Sequence, residues 1–369
     1  MRSIYINAHD LISLEHTIRE LEQENRTKAI LFLMADEEHY TEDLLGPILH
    51  EIKKPLIGGI FPELIFEGKR KKKGVLLLPL SFDLKTQLFD LNENSEDFLK
   101  QLKNVQVDSL SSQSSLFVFA DALSAHKASF IESLFDFFGM NTSYVGGGAG
   151  SLSFEPFPCI ISNKGLSANA AVIGWADRKM SLGVAHGWKA LSGILKITQT
   201  DQNLIKTINW EPAAEVYKAF VEEHSGKIIT AENFYEIAKS YPLGIEKLDS
   251  EMIVRDPVWL TNEGLQLIDK IREGEYIKIL NGDLGSLLEG ASHAKKLVLS
   301  KLKEEMDHDA LFCIGCISRV LFMNETYEKE LAILSENKNV SGILSLGEIA
   351  NEGDSFLEIY NKTIAIGIW

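Results

Sequence analysis

The chain has 369 residues, enough for two domains or one large sheet-based body with an accessory part, and its 45% hydrophobic and 24% charged content is that of a globular protein with a core. A formal charge of −16 excludes nucleic acid as a partner, because a phosphate backbone is bound by clustered Lys and Arg. No apolar run approaches the roughly 20 residues of a membrane-spanning helix, the N-terminus lacks the apolar centre of a signal peptide, and three cysteines are too few for a disulfide framework. These features read as a cytoplasmic protein with no membrane partner.

His9 to Asn25 places Leu11, Leu14, Ile18 and Leu21 at helical spacing, so residues 1–26 hold an amphipathic helix expected to dock on the protein's own core. Beyond it the chain repeats a pattern: strand, helix, short glycine-bearing strand, hairpin. The first unit runs Lys28–Asp36, a polar helical stretch, Pro55–Gly59, then a hairpin of Leu64–Glu67 with Gly74–Leu80. The basic run Lys69–Lys73 is read as its solvated turn. The second unit runs Ser115–Asp121, a helix over Lys127–Phe138 with Ser124 as N-cap and Gly139 as stop, Ser143–Gly148, and a hairpin of Cys159–Ser162 with Ala170–Trp175.

Leu182–Val184 and Ile194–Thr198 follow as strands. A helix over Pro212–Glu223 starts with Pro212 at the first helical position and stops at Gly226. The boundary between two halves, 27–211 and 212–369, is placed just before Pro212. Asp283–Lys303 is the longest helix, with Ser286 and Glu289 as a capping box. The third unit runs Ala310–Cys316, a helix near Tyr327–Leu334, Gly342–Glu348, and a hairpin of Phe356–Tyr360 with Thr363–Ile368. Strand–helix–strand crossovers imply parallel pairing and hairpins antiparallel pairing, so the fold class is α/β with mixed sheets and packed helices.

Ligands of such sheets sit beyond the carboxyl ends of parallel strands. Those ends hold Asp36, Gly58, Gly59, Asp121, Gly146, Gly147, Gly148, Cys316, Arg319, Gly347 and Glu348. The GGGAG run at Gly146 is either a turn that needs close backbone approach or an N–H surface facing a ligand, and it matches no phosphate-loop pattern. Cys313 and Cys316 form a C-x-x-C, but ALFCIGC alternates like a strand, which buries Cys313. Arg319 and Glu348 are charges beside apolar strands: they pair with each other or with Arg255, or they recognise a carboxylate or zwitterion. Asn361 belongs to a hairpin turn or supplies an amide to the pocket. His186 is a satisfied or exposed residue, or else an axial haem ligand or an acid–base group. No metal-ligand cluster or hydrolase triad is present, so no enzyme is read, and the rival is a thiol enzyme using Cys316.

Taken in order, IGGIFPELIFEG at Ile57, YVGGGAG at Tyr144, HGW at His186, INWEPAAEVY at Ile208, PLGIE at Pro242, MIVRDP at Met252, REGEYIKIL at Arg272, CISR at Cys316, LGEI at Leu346 and YNKTIAIGIW at Tyr360 resemble the FIST family, with its FIST N and FIST C domains. The resemblance implies a sensory protein for small ligands such as amino acids, signalling to a separate histidine kinase, diguanylate cyclase or chemoreceptor. One branch of the family binds haem and senses nitric oxide, the alternative reading here. Residues carried over by motif are Arg255, Cys316, Arg319, Glu348, Asn361 and Thr363. Gly315 departs from the family's common Ser before Cys316, which removes a hydroxyl from the expected pocket.

Overall fold

Ala29–Ala35 is apolar and buried at every position, as a strand covered on both faces must be. A computed structural model of the chain describes residues 2–92, 95–103, 105, 114–140, 142–247, 251–302, 310–353 and 356–369. The fold is mixed α/β. Unit one comprises β1 (Ile4–Ile6), α1 (Leu11–Gln23), β2 (Ala29–Ala35), α2 (Glu42–Glu51), β3 (Leu56–Phe61), β4 (Glu63–Phe66), β5 (Lys69–Lys71) and β6 (Val75–Leu80). Unit two has β7 (Lys85–Asp90), α3 (Ser95–Leu102), β8 (Ser115–Asp121), α4 (Lys127–Phe138), β9 (Ser143–Ala149), β10 (Ile160–Ser162), β11 (Gly165–Ser167) and β12 (Ala170–Ala176), followed by β13 (Ser181–Ala185).

An insertion then builds its own nine-stranded antiparallel sheet from β14 (Lys189–Ala190), β15 (Leu195–Asp201), β16 (Leu204–Ile208), β17 (Glu211–Pro212), β18 (Leu243–Ile245), β19 (Ile253–Arg255), β20 (Pro257–Thr261), β21 (Gly264–Leu267) and β22 (Tyr276–Asn281). Helices α5 (Ala213–Ser225) and α6 (Phe234–Ala238) complete it. Unit three has α7 (Leu284–Ser300), β23 (Ala310–Cys316), α8 (Ile317–Met323), α9 (Glu328–Ser335), β24 (Asn339–Ser345), β25 (Glu348–Asn351), β26 (Ile359–Tyr360) and β27 (Ile364–Ile368).

Each unit pairs its first strand in parallel with its short strand: β2 with β3, β8 with β9, β23 with β24. A glycine makes each pairing close. A Cβ on Gly58 would stand 1.7 Å from Phe32 O, on Gly146 1.7 Å from Val118 O, and on Gly342 1.8 Å from Cys313 O. Those three glycines face the same register position of their partner strands. The repeat is therefore exact in register where it is invisible as sequence identity.

The predicted hairpins are corrected. In every unit the two strands part: the second returns antiparallel to the unit's own first strand (β6 on β2, β12 on β8, β27 on β23), while the first folds into a ribbon and joins another unit's sheet. Ribbon β10–β11 extends sheet one through β3, β25–β26 extends sheet two through β9, and β4–β5 extends sheet three through β24. An isoleucine of each ribbon faces the glycine: Ile161 opposite Gly58, Ile349 opposite Gly146, Ile65 opposite Gly342. The result is three six-stranded sheets linked by a cyclic exchange of ribbons, with β3, β9 and β24 in mutual contact at the centre. Strands from before and after residue 211 share these sheets, and β17 spans Glu211–Pro212 inside the insertion.

Other differences are local. Lys69–Lys71 is the edge strand β5, not a turn; the turn is at Glu67 and Gly68, both with positive φ. Pro212 is the N-cap of α5 and does not enter it. The box at the start of α7 is made by Asp283 with Ser286, because Asp283 Oδ1 accepts the Ser286 amide at 2.7 Å. That helix ends at Ser300, and Lys303 lies outside the described residues. His126 takes the N-cap position of α4, and Ser124 Oγ accepts its amide one turn earlier. Helix α8 escaped the reading because seven residues give too short a period to detect. Gly347, φ 104°, breaks the predicted strand Gly342–Glu348 into β24 and β25.

Candidate functional site

Parallel strands deliver their carboxyl ends together. In unit three those ends carry Cys316 and Ser345, and past the Gly347 turn Glu348 begins β25. Glu348 is fully buried. Its Oε2 accepts the Thr363 amide at 3.2 Å, its Oε1 lies 3.2 Å from Ser345 Oγ, and it shares a hydrogen bond with the Cys316 thiol. Burial pushes this carboxyl well above the usual range against the pull of those bonds, which favours its neutral form. Burial, then the Glu348 and Asp256 carboxylates, push the Cys316 thiol up. A thiolate nucleophile needs the opposite shift.

The insertion closes over this end with Arg255, the last residue of β19, and with Asp256. Asp256 pairs with Lys362 Nζ at 3.1 Å and is hydrogen-bonded to Ser318. Burial still raises it. Lys362 Nζ also donates to Lys239 O at 3.1 Å and stands 5.3 Å from the Trp188 ring centre. Arg255 donates through Nη1 to Ile359 O at 2.9 Å and pairs through Nη2 with Glu358 at 3.3 Å. Its Nε is buried and has no hydrogen-bond partner among the described residues.

Asp269 is paired with Lys127 Nζ at 2.9 Å and accepts Asn361 Nδ2 at 2.7 Å. Burial works against its charge, but Lys127, Arg255 and Asn361 hold its carboxyl well below the ordinary range. Glu275 is raised by burial and by Glu358, with Lys247 and Arg255 pulling the other way, and its Oε2 is also buried with no partner among the described residues. Among the described residues, a donor and an acceptor of opposite charge thus stand without partners in the same electrostatic neighbourhood, at the seam between insertion and body. Two surface depressions, of about 160 and 150 Å³, lie elsewhere: one beside Thr86, Gln87 and Lys164, the other beside Lys189, His224 and Asp283.

The seam brings Arg255, Cys316, Glu348, Asn361 and Thr363 together. Arg319 belongs to the frame. It pairs with Glu330, not with Glu348 or Arg255. Its Nε and Nη2 bond the two Glu330 oxygens, and its remaining donors reach His186 O at 2.7 Å, Lys362 O at 3.0 Å and Leu287 O at 3.0 Å. A guanidinium has five N–H groups, so none is left for a ligand. Gly147 and Gly148 also serve packing: a Cβ on Gly148 would stand 2.4 Å from Leu346 O, and its amide donates to Gly347 O at 2.8 Å. Gly315 points away from the seam, where its Cβ would stand 3.0 Å from Tyr327 Oη, so a hydroxyl there would face the core.

His186 does not fit a haem. Its Nδ1 accepts the Trp188 amide at 2.8 Å, so the neutral ring carries its proton on Nε2, the nitrogen an iron would need. That nitrogen stands 3.3 Å from Glu251 Oε1, without a hydrogen-bond partner among the described residues, and the residue is buried. Burial lowers its pKa against the pull of Glu251.

The sequence reading missed Lys127, Asp256, Asp269, Glu275, Glu358 and Lys362. Asp256 and Glu275 lie inside the motifs MIVRDP and REGEYIKIL, and Lys362 inside YNKTIAIGIW, which was the available signal. A family model of the FIST N domain matches residues 28–211, and one of the FIST C domain matches residues 213–351. No curated protein matches the chain.

Proposed function

The chain belongs to the FIST family, across both its N and C domains, and from that premise we propose that it senses a small charged ligand, an amino acid or similar, held at the seam. The observation that carries this is a pair of buried atoms with no partner among the described residues, Arg255 Nε and Glu275 Oε2. Buried polar atoms are nearly always satisfied, and this donor and acceptor suit a carboxylate and an ammonium group. Binding without chemistry is favoured by the raised Cys316 thiol. The signal passes to a separate histidine kinase, diguanylate cyclase or chemoreceptor. Thermal-shift measurement against a panel of L-amino acids and small carboxylates tests the reading. Specific stabilisation by a member of the panel is expected, since binding to the native state raises the melting temperature; a panel that leaves it unmoved would count against an amino-acid-like ligand.

A further inference from the structure

We infer that the insertion, described over residues 188–247 and 251–281, acts as a lid, hinged where the chain crosses at Gly187 and Gly282, and that the lid must open for a ligand to reach the seam. The inference rests on the seam reading and concerns how that site is reached. The insertion leaves and rejoins the body at one place, because β14 pairs directly with β22 through Lys189–Asn281 and Ala190–Leu280. Two adjacent strands make one axis. Both crossing residues are glycines in tight quarters: a Cβ on Gly187, φ 83°, would stand 2.2 Å from Ser286 O, and one on Gly282 2.5 Å from the Trp188 ring.

The insertion has its own core, in which Ile197, Ile205, Tyr217, Phe234, Leu265 and Ile277 pack together; among the described residues the body adds to it Tyr360, buried, and Val184, half-buried. Its apolar contribution to the body, among the described residues, is Trp188 and Leu280 at the hinge and Val254, with the partly buried Met252, beside Arg255. The contacts far from the hinge are charge pairs: Asp256 with Lys362, Arg255 and Lys247 with Glu358, Asp269 with Lys127, Arg272 with Glu132. An interface of this polar kind allows two folded parts to move as units. The body residues beneath it, Cys316 and Glu348, are 2% and 0% exposed, and Asp256 bonds Ser318 two residues from that thiol.

Cys313 supplies an internal control. It lies three residues before Cys316 on β23 and is packed in the body's core with 0% exposure. Lid opening should expose Cys316 alone, whereas global unfolding exposes both. The experiment is iodoacetamide labelling of the full chain in native buffer, with each cysteine resolved by fragment mass spectrometry. A second sample carries Glu132→Cys and Arg272→Cys joined by a short bismaleimide, which ties the lid down at an exposed ion pair. Cys316 is expected to label about tenfold faster than Cys313 in the unmodified chain, as local opening is more frequent than global, and to lose that advantage in the joined protein. Equal rates for the two cysteines in the unmodified chain, or an advantage that survives the tether, would overturn the lid. No ligand enters the measurement, so its failure leaves the seam reading standing, and a failed ligand panel leaves the labelling ratio unchanged.

Discussion

Arg319 grips both carboxylate oxygens of Glu330, and neither side chain has any solvent exposure. Three carbonyls from the His186 loop, α7 and the turn at Lys362 take its remaining donors, so one saturated cation ties those three segments together.

Arg319→Ala would leave Glu330 buried without a counter-charge, a change that typically costs about 3–5 kcal/mol. Arg319→Lys is expected to fail as well, because an ammonium has three donors and no planar fork. Denaturant unfolding measures both. A loss below about 1 kcal/mol for Arg319→Ala, the scale of an exposed ion pair, would show that this pair is not the clamp described.

The three inter-strand glycines give a second expectation. An alanine at Gly58, Gly146 or Gly342 would drive its Cβ into the neighbouring strand's carbonyl oxygen, so each should destabilise by more than about 4 kcal/mol through forced backbone displacement. Gly193→Ala, where nothing lies within 4 Å of the added Cβ, is the control and should be nearly neutral. Three soluble alanine variants that unfold like the parent would remove the claim that the units repeat in register.

These glycines also show what a single sequence reveals. The strand, helix, strand order was legible because β2, β8 and β23 are unbroken apolar runs and a crossover between such runs implies parallel pairing. The ribbon exchange was not, because adjacent strands in sequence look like a hairpin and nothing local says that Cys159–Ser162 pairs with Ile57–Gly59 instead of with Ala170–Trp175. The same limit applies to the seam. Its residues come from α4, the insertion, the ends of β23 and β25 and the turn after β26, and the sign of each charge is visible in sequence while its partner is not. Arg319 was misread for that reason: Glu330 sits on a separate helix, α9, and a lone arginine beside an apolar strand looks like a ligand group.

Tyr327 Oη is buried and has no hydrogen-bond partner among the described residues. Leaving a buried hydroxyl unmatched costs about 1–3 kcal/mol, so Tyr327→Phe should be neutral or stabilising in denaturant unfolding. A loss of more than about 1 kcal/mol would reveal a hydrogen bond to that oxygen.

Glu348 sets a pH dependence. Its native pKa lies well above its ordinary value of 4.5, so the native state holds the proton more tightly than the unfolded chain does. Its contribution to stability is complete below pH 4.5 and is lost as pH rises toward the native value. Glu348→Gln keeps the neutral shape, and its melting temperature should fall less than that of the parent as pH rises above 4.5. Identical pH profiles would mean that Glu348 is not carrying the proton.

The measurement that bears most directly on ligand binding at the seam is calorimetric titration of the amino acid giving the largest thermal shift into the parent chain and into Arg255→Gln. Both proteins are first shown to be folded at the temperature used. The expected result is saturable binding to the parent, weakened at least about tenfold in the variant, the scale of one charge-assisted hydrogen bond. Equal affinity in the two proteins would contradict a ligand held by Arg255 at the seam.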